Sequence, residues 1–260
     1  MRYIIVLSYD GFKFCGWQVQ NNAKSIQGEL QQALGTLLGE MTPVTGAGRT
    51  DSLVNAIGYT AHFDTNRPIP DTEQFRYKLN AILPYGITVH RICPADEGFH
   101  ARFDALSREY HYFIHRRKDP FVERFSWQCH HDLDMDRMNA AASFLLGKHD
   151  FSCFEKTGGN NATSICTVFS AAWESYTPTH VGMMGYPAEK DDYIVFTIKA
   201  DRFLRNMVRA VVGSLVEVGR GKKEPEWILT LLKEGSRSDA GESVPGHALF
   251  FSGAEYPENM

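Results

Sequence analysis

Cysteine is scarce in this 260-residue chain and shows no pattern. The five residues, Cys15, Cys93, Cys129, Cys153 and Cys166, are odd in number and scattered, and no pair has C-x-x-C spacing. Reduced thiols are the simplest account of such usage, not a disulfide framework. His130 and His131 adjoin Cys129, and His111 precedes His115 by four positions, but no second cluster has zinc-type spacing, so no metal is expected. Excess positive charge is missing too. The formal net charge of -4 disfavours a non-specific nucleic-acid coat and requires any such partner to be held by a local basic face. The opening apolar run, Ile4 to Leu7, is too short for a signal-peptide core or a membrane span, so a cytoplasmic protein without membrane association is expected. Low-complexity tracts and an obvious linker are absent. What remains, 43% hydrophobic and 22% charged residues, is ordinary for a globular chain able to bury a sizeable core.

Taken in order, the chain alternates strands and helices. Tyr3 to Tyr9 reads as a buried strand closed at Asp10-Gly11, followed by an aromatic loop with Phe12, Phe14 and Trp17. Ser25 caps a helix whose Ile26, Leu30, Ala33, Leu34, Leu37 and Leu38 share one face, with Gly39 as its stop. Strands then enter and leave the turn Gly46–Asp51, the second ending near Phe63. Asp71 or Thr72 caps a helix stopped by Pro84, and Ile87 to Ile92 is a strand. This is a β-α-β-β-α-β order. A similar order follows. Arg108 to His115 alternates, Asp134 caps a helix ended by Gly147, and Val168–Tyr176 pairs with Tyr193–Lys199 across an exposed connection, His180 to Asp192. Asp201 to Gly219 reads as a long helix, and Ala248 to Phe251 as an edge strand. The expected fold is α+β, two duplicated halves over residues 1–104 and 105–260, whose sheets side by side would leave a cleft.

Several stretches carry chemistry. In Gly46-Ala47-Gly48-Arg49-Thr50-Asp51, glycines allow a sharp turn and close approach of a ligand to Arg49 and Asp51, although a hairpin with an incidental ion pair has the same composition. The stretch lacks the Gly-Lys-Ser/Thr ending of a phosphate loop, and a strand, not a helix, follows it, which disfavours a nucleotide-cofactor enzyme. On the helix read from Asp201, Arg202, Arg205 and Arg209 fall within roughly a 60° arc that Gly213 continues. That face suits a phosphate backbone, a buried carboxylate or plain solvent. Phe99-His100-Ala101-Arg102-Phe103 and Arg108-Glu109-Tyr110-His111-Tyr112 interleave aromatic and basic residues, as RNA stacking needs and as ordinary strands also contain, and Arg116-Arg117-Lys118 just beyond adds local positive charge.

Gly48-Arg49-Thr50-Asp51 resembles the catalytic motif of the tRNA pseudouridine synthase A family. Family-like pieces occur in the same order along nearly the whole chain: Tyr9-Asp10-Gly11, Gly16-Trp17-Gln18, Asn80 to Pro84, Phe99 to Phe103, Arg108 with Tyr110 and Tyr112, Leu146-Gly147 with His149 to Phe151, Phe203-Leu204 with Met207 to Arg209, Val212 to Leu215, and Val218-Gly219. The resemblance implies an isomerase that converts uridine to pseudouridine at positions 38 to 40 of the tRNA anticodon stem-loop. It implies ferredoxin-like (RRM-like) halves forming a continuous mixed sheet with a central positively charged cleft and helices on one side, in a homodimer without cofactor or metal. Asp51 would be the nucleophile, attacking base or sugar, with Arg209 the partner that keeps such a carboxylate ionised. Tyr110 would stack on the target base and assist proton transfer, and Arg49 would help displace the nucleotide from its helix. Arg102, Arg205 and Tyr112 are further expected RNA contacts. The chain departs from the family after Asp51, where Ser52-Leu53-Val54-Asn55-Ala56 replaces the usual Ala-Gly-Val-His-Ala. It departs again at Val244-Pro245-Gly246-His247, where a small-residue pocket wall is expected. A non-catalytic or retargeted RNA-binding relative is the alternative.

Overall fold

A computed structural model describes residues 1–158 and 163–257. In chain order its strands and α-helices are β1 Arg2–Tyr9, α1 Ile26–Leu38, β2 Val44–Gly46, β3 Asn55–Asp64, α2 Thr72–Ile82, β4 Ile87–Ala95, β5 Ser107–His115 and β6 Trp127–Gln128. There follow α3 Met135–Ser143, β7 Gly147–Asp150, β8 Ile165–Ser175, α4 Thr179–Met184, β9 Tyr193–Ala200, α5 Met207–Gly219, α6 Trp227–Glu234 and β10 Leu249–Glu255. This mixed α+β content agrees with the expected class. The chain forms two compact units, one of residues 1–108 with the described residues from Phe250 onward, the other Glu109–Leu249.

In the first unit β1 lies between β3 and β4, antiparallel to both. β2 pairs antiparallel with one end of β3, Val44 opposite Phe63, while β10 pairs parallel with the other, Phe250 opposite Asn55. The order β4-β1-β3-β2 with two crossover helices is the ferredoxin-like arrangement. Its helices start where capping chemistry requires. Ser25 Oγ accepts the Gly28 N–H at 3.1 Å and Asp71 Oδ1 the Gln74 N–H at 2.8 Å, each filling one orphan donor of a first turn. Gly39, at φ 73, takes the left-handed conformation that ends α1. Ile5, Leu7, Leu30, Leu34 and Tyr59 are wholly buried between sheet and helices.

In the second unit the sheet order is β5-β9-β8-β7, with β6 parallel to β5. β8 is antiparallel to both β9 and β7. α3 begins at an Asp134 cap that accepts the Arg137 N–H, and packs on α5 and β8.

The structure corrects several expectations in this unit. α3 ends at Ser143, and Gly147 opens β7. α5 begins at Met207, not Asp201. Asp201 is still tied to β8, its carboxylate accepting the Thr167 N–H at 2.8 Å and its own N–H donating to the Thr167 carbonyl at 3.0 Å. Asn206, at φ 64, then turns left-handed, so no helix can run through it. The connection after β8 is not wholly irregular, because Thr179–Met184 forms α4 and His180 Nε2 bonds Asp119 Oδ2 at 2.7 Å. Finally, α6 was not anticipated, although Pro225 just ahead of it and the buried pair Ile228 and Leu231 are helix-start and helix-face signals.

Candidate active site

Asp51 lies on irregular backbone between β2 and β3, half-buried, with Arg49 exposed beside it. The loop after β1 clasps this segment. Trp17 N–H donates to the Thr50 carbonyl at 3.1 Å, the Tyr9 and Thr50 hydroxyls share a buried 2.8 Å hydrogen bond, and the Gly11 N–H donates to Asn55 Oδ1 at 2.9 Å. Contact is so close that a Cβ on Gly11 would stand 2.3 Å from the Val54 carbonyl oxygen, and one on Gly16, at φ 84, 2.4 Å from that of Thr50. Only glycine permits both approaches. On the other side the Tyr59 hydroxyl donates to the Gly48 carbonyl. Asp51 thus stands on a segment held from both flanks.

The turn is not built as its glycines suggest. Gly46 belongs to β2, and neither it nor Gly48 has a positive φ; the position of a Gly48 Cβ is open space, which leaves room for a ligand to approach. The left-handed residue is Leu53, at φ 70, in a turn closed by Val54 N–H to the Asp51 carbonyl at 3.2 Å. That third turn position favours glycine, and a leucine there costs about 1–2 kcal/mol. It is the position at which the family pattern has glycine. Asn55, where that pattern has histidine, is buried and supplies the acceptor for Gly11.

A second loop of the same unit carries Arg102. His62, buried on β3, accepts the Ala101 N–H through Nδ1 at 3.1 Å, and burial, then nearby Arg2 and His100, push its pKa down to about 4. It is therefore neutral at pH 7 and free to accept. His100 stacks on Phe103 with ring centroids 4.2 Å apart, leaving Phe103 74% exposed with the Arg102 guanidinium 5.7 Å from its centroid. Arg108 joins this loop to the Asp51 segment. Its guanidinium donates to the carbonyls of Ala105 (2.8 Å), Ala47 (3.3 Å) and Arg102. Sequence reasoning placed Arg108 on a strand face without assigning it this role. Arg49, Asp51 and Arg102 thus belong to one unit, connected through Arg108.

In the second unit Tyr110 is buried on β5 with the Phe203 ring edge-on at 5.0 Å. Arg209, on α5, donates through Nε to the Val244 carbonyl at 2.7 Å and accepts the Val244 N–H on its own carbonyl at 3.3 Å. Tyr112 is 0% exposed and its hydroxyl donates to the Pro245 carbonyl at 3.0 Å. Burial raises its pKa well above the ordinary phenol value, and the Arg209 charge opposes that rise. The ring sits in the core, where it fixes segment 241–245 and offers RNA no surface. The same segment lies directly against Gly213, since a Cβ there would lie 1.8 Å from the Glu242 carbonyl oxygen. Ser214 Oγ accepts the Gly241 N–H at 2.8 Å. Arg205 is exposed, its guanidinium 3.5 Å from the Thr157 carbonyl, and like Arg202 it precedes α5. The single arginine face expected on one helix therefore does not exist; of the three, only Arg209 is helical.

Among the described residues no group of three or more His, Cys, Asp or Glu side chains could hold a metal ion, and no helix is long and apolar enough to cross a membrane. All five cysteines are free thiols, and burial pushes those of Cys153 and Cys166 up to about 12.

Comparison with known proteins supplies the frame for these residues. The family profile described as tRNA pseudouridine synthase matches residues 141–257. The tRNA pseudouridine synthase A of Bacteroides fragilis is 43% identical over 260 residues, covering 100% of this chain and 98% of the relative. Those of Parabacteroides distasonis (41%, 100% of this chain and 97% of the relative) and Bacteroides thetaiotaomicron (43%, 100% and 92%) are similar along their whole length as well. With the likeness running from end to end at up to 43% identity, the chain belongs to the tRNA pseudouridine synthase A family.

Proposed function

We propose that this protein isomerises uridine to pseudouridine in tRNA, at positions 38 to 40 of the anticodon stem-loop, as a cytoplasmic homodimer without cofactor or metal. In that reaction the N1–C1′ bond of the target uridine breaks, the uracil turns, and a C5–C1′ bond forms. The C5 proton passes to solvent and N1 gains one. Asp51 is the nucleophile that holds the detached fragment covalently between those events. Tyr110 stacks on the uracil, and Arg209 carries the positive charge paired with the reacting carboxylate. Arg49 enters the gap left when the nucleotide swings out of its helix. Arg102 and Arg205, both exposed, meet the phosphate backbone, so affinity falls as salt rises despite the net charge of -4.

The observation that carries the reading at residue level is the clasp on Asp51. A nucleophile must be held in place before substrate arrives, and the bonds from Trp17, Tyr9 and Gly11 do this on both sides of the carboxylate. Asn55 supports it further. The residue that departs from the family pattern still provides a buried acceptor, so the loop is retained and not relaxed, which favours the enzyme over a binding module. The test uses anticodon stem-loops labelled with tritium at C5 of one uridine, at position 38, 39 or 40 in turn. Release from these and not from a uridine elsewhere in the tRNA is expected. Salt-sensitive binding without release from any position would leave an RNA-binding relative instead.

A further inference from the structure

Leu53 is the third residue of the turn that starts at Asp51, in the left-handed region at φ 70. Branched side chains avoid that conformation, and an exposed surface turn imposes no need for one. Packing in the fold does not use the whole side chain, since Leu53 remains 38% exposed. The backbone on both sides is fixed by other contacts, the Leu53 carbonyl lying under Gly11 and the Val54 N–H on Asp51. The left-handed turn is therefore set by its neighbours, and the leucine keeps part of its apolar surface exposed beside Asp51. Strain of this kind at a site of chemistry points to a contact made only with the ligand.

We infer that Leu53 is a substrate-positioning residue that packs on the face of the base next to the extruded uridine. The inference rests on the isomerase reading for its substrate. Swinging one nucleotide out exposes an apolar face on the neighbouring base, and aliphatic side chains inserted at such steps are a recurrent way to hold an opened stack. Arg49, exposed just ahead of this turn, enters the gap that the nucleotide leaves, while Leu53 covers the face of the neighbouring base. Ser52 between them, also exposed, is too short to do either.

The test compares wild type with Leu53→Gly, Leu53→Asn and Leu53→Met for affinity toward an unmodified tRNA transcript, tritium release and thermal midpoint. Glycine and asparagine suit the left-handed turn, so their midpoints should equal or exceed that of wild type. Their affinity should nevertheless fall about tenfold, equivalent to about 1.4 kcal/mol of lost contact. Methionine, apolar and of similar volume, should restore most of it. A leucine that served only the fold would give the reverse: lower midpoints with undiminished binding. Unchanged affinity in Leu53→Gly and Leu53→Asn, or no tRNA binding by wild type, overturns the inference. Should wild type bind tRNA but release no tritium, the isomerase reading fails, while the affinity ranking still decides the role of Leu53.

Discussion

The segment that carries Asp51 is irregular backbone, pinned at Gly48, Thr50 and Asn55 by a phenol, an indole-bearing residue's backbone N–H, a hydroxyl and an amide from other segments. Arg209 stands on regular helix, buried almost all round, and is placed by a stretch of tail at 241–245 laid along that helix. One position depends on many polar contacts to a loop, the other on the close fit of two backbones. In the first region a small change moves the reacting group before it costs much stability; in the second the fold fails first.

Substitution at one closely approached glycine in each region separates these cases most sharply. Gly213→Ala puts a methyl 1.8 Å from the Glu242 carbonyl oxygen, and unfolding in urea should show it destabilised by about 3 kcal/mol or more. Gly16→Ala, strained at φ 84 and 2.4 Å from the Thr50 carbonyl oxygen, should lose less stability. Its turnover, measured where both proteins are folded, should fall about a hundredfold because the nucleophile is displaced. Full turnover in Gly16→Ala would end the contrast. A smaller pair of effects refines it. Asn55→Ala leaves the buried Gly11 N–H without its acceptor and should cost about 1–3 kcal/mol, with turnover falling further than stability explains. Tyr112→Phe removes the hydroxyl from the Pro245 carbonyl and should cost about 1 kcal/mol with turnover little changed. Equal losses of turnover in the two variants would show that both regions are held in the same way.

These regions also differ in how far they could be read from residues alone. The caps at Ser25, Asp71 and Asp134 were legible because a cap acts over three residues of one chain segment. The motif around Asp51 was legible as a site for the same local reason. Its geometry was not, because the turn owes its shape to Gly11, Gly16 and Trp17 far away in sequence, and Leu53 carries no residue-type sign of a positive φ. The arginine face failed on packing. Leu204 is buried with Met207, Val208 and Val211, so helical spacing of apolar residues continues straight across a break at Asn206 that periodicity cannot register. Gly213 was in line with the arginine face, and its actual neighbour, the Glu242 carbonyl, is brought in by tertiary contact. Tyr112, read as an RNA contact on its strand face, is spent on Pro245 for the same reason.

The most direct test of Asp51 as nucleophile uses tRNA carrying tritium at uridine C5, with wild type and Asp51→Asn compared for release and for affinity. Wild type should release tritium while Asp51→Asn releases none above background and binds the tRNA within a few-fold of wild type, since binding rests on arginines and apolar contacts. Comparable release by Asp51→Asn would remove Asp51 from the nucleophile's role and, with it, the catalytic purpose of the clasp that holds it.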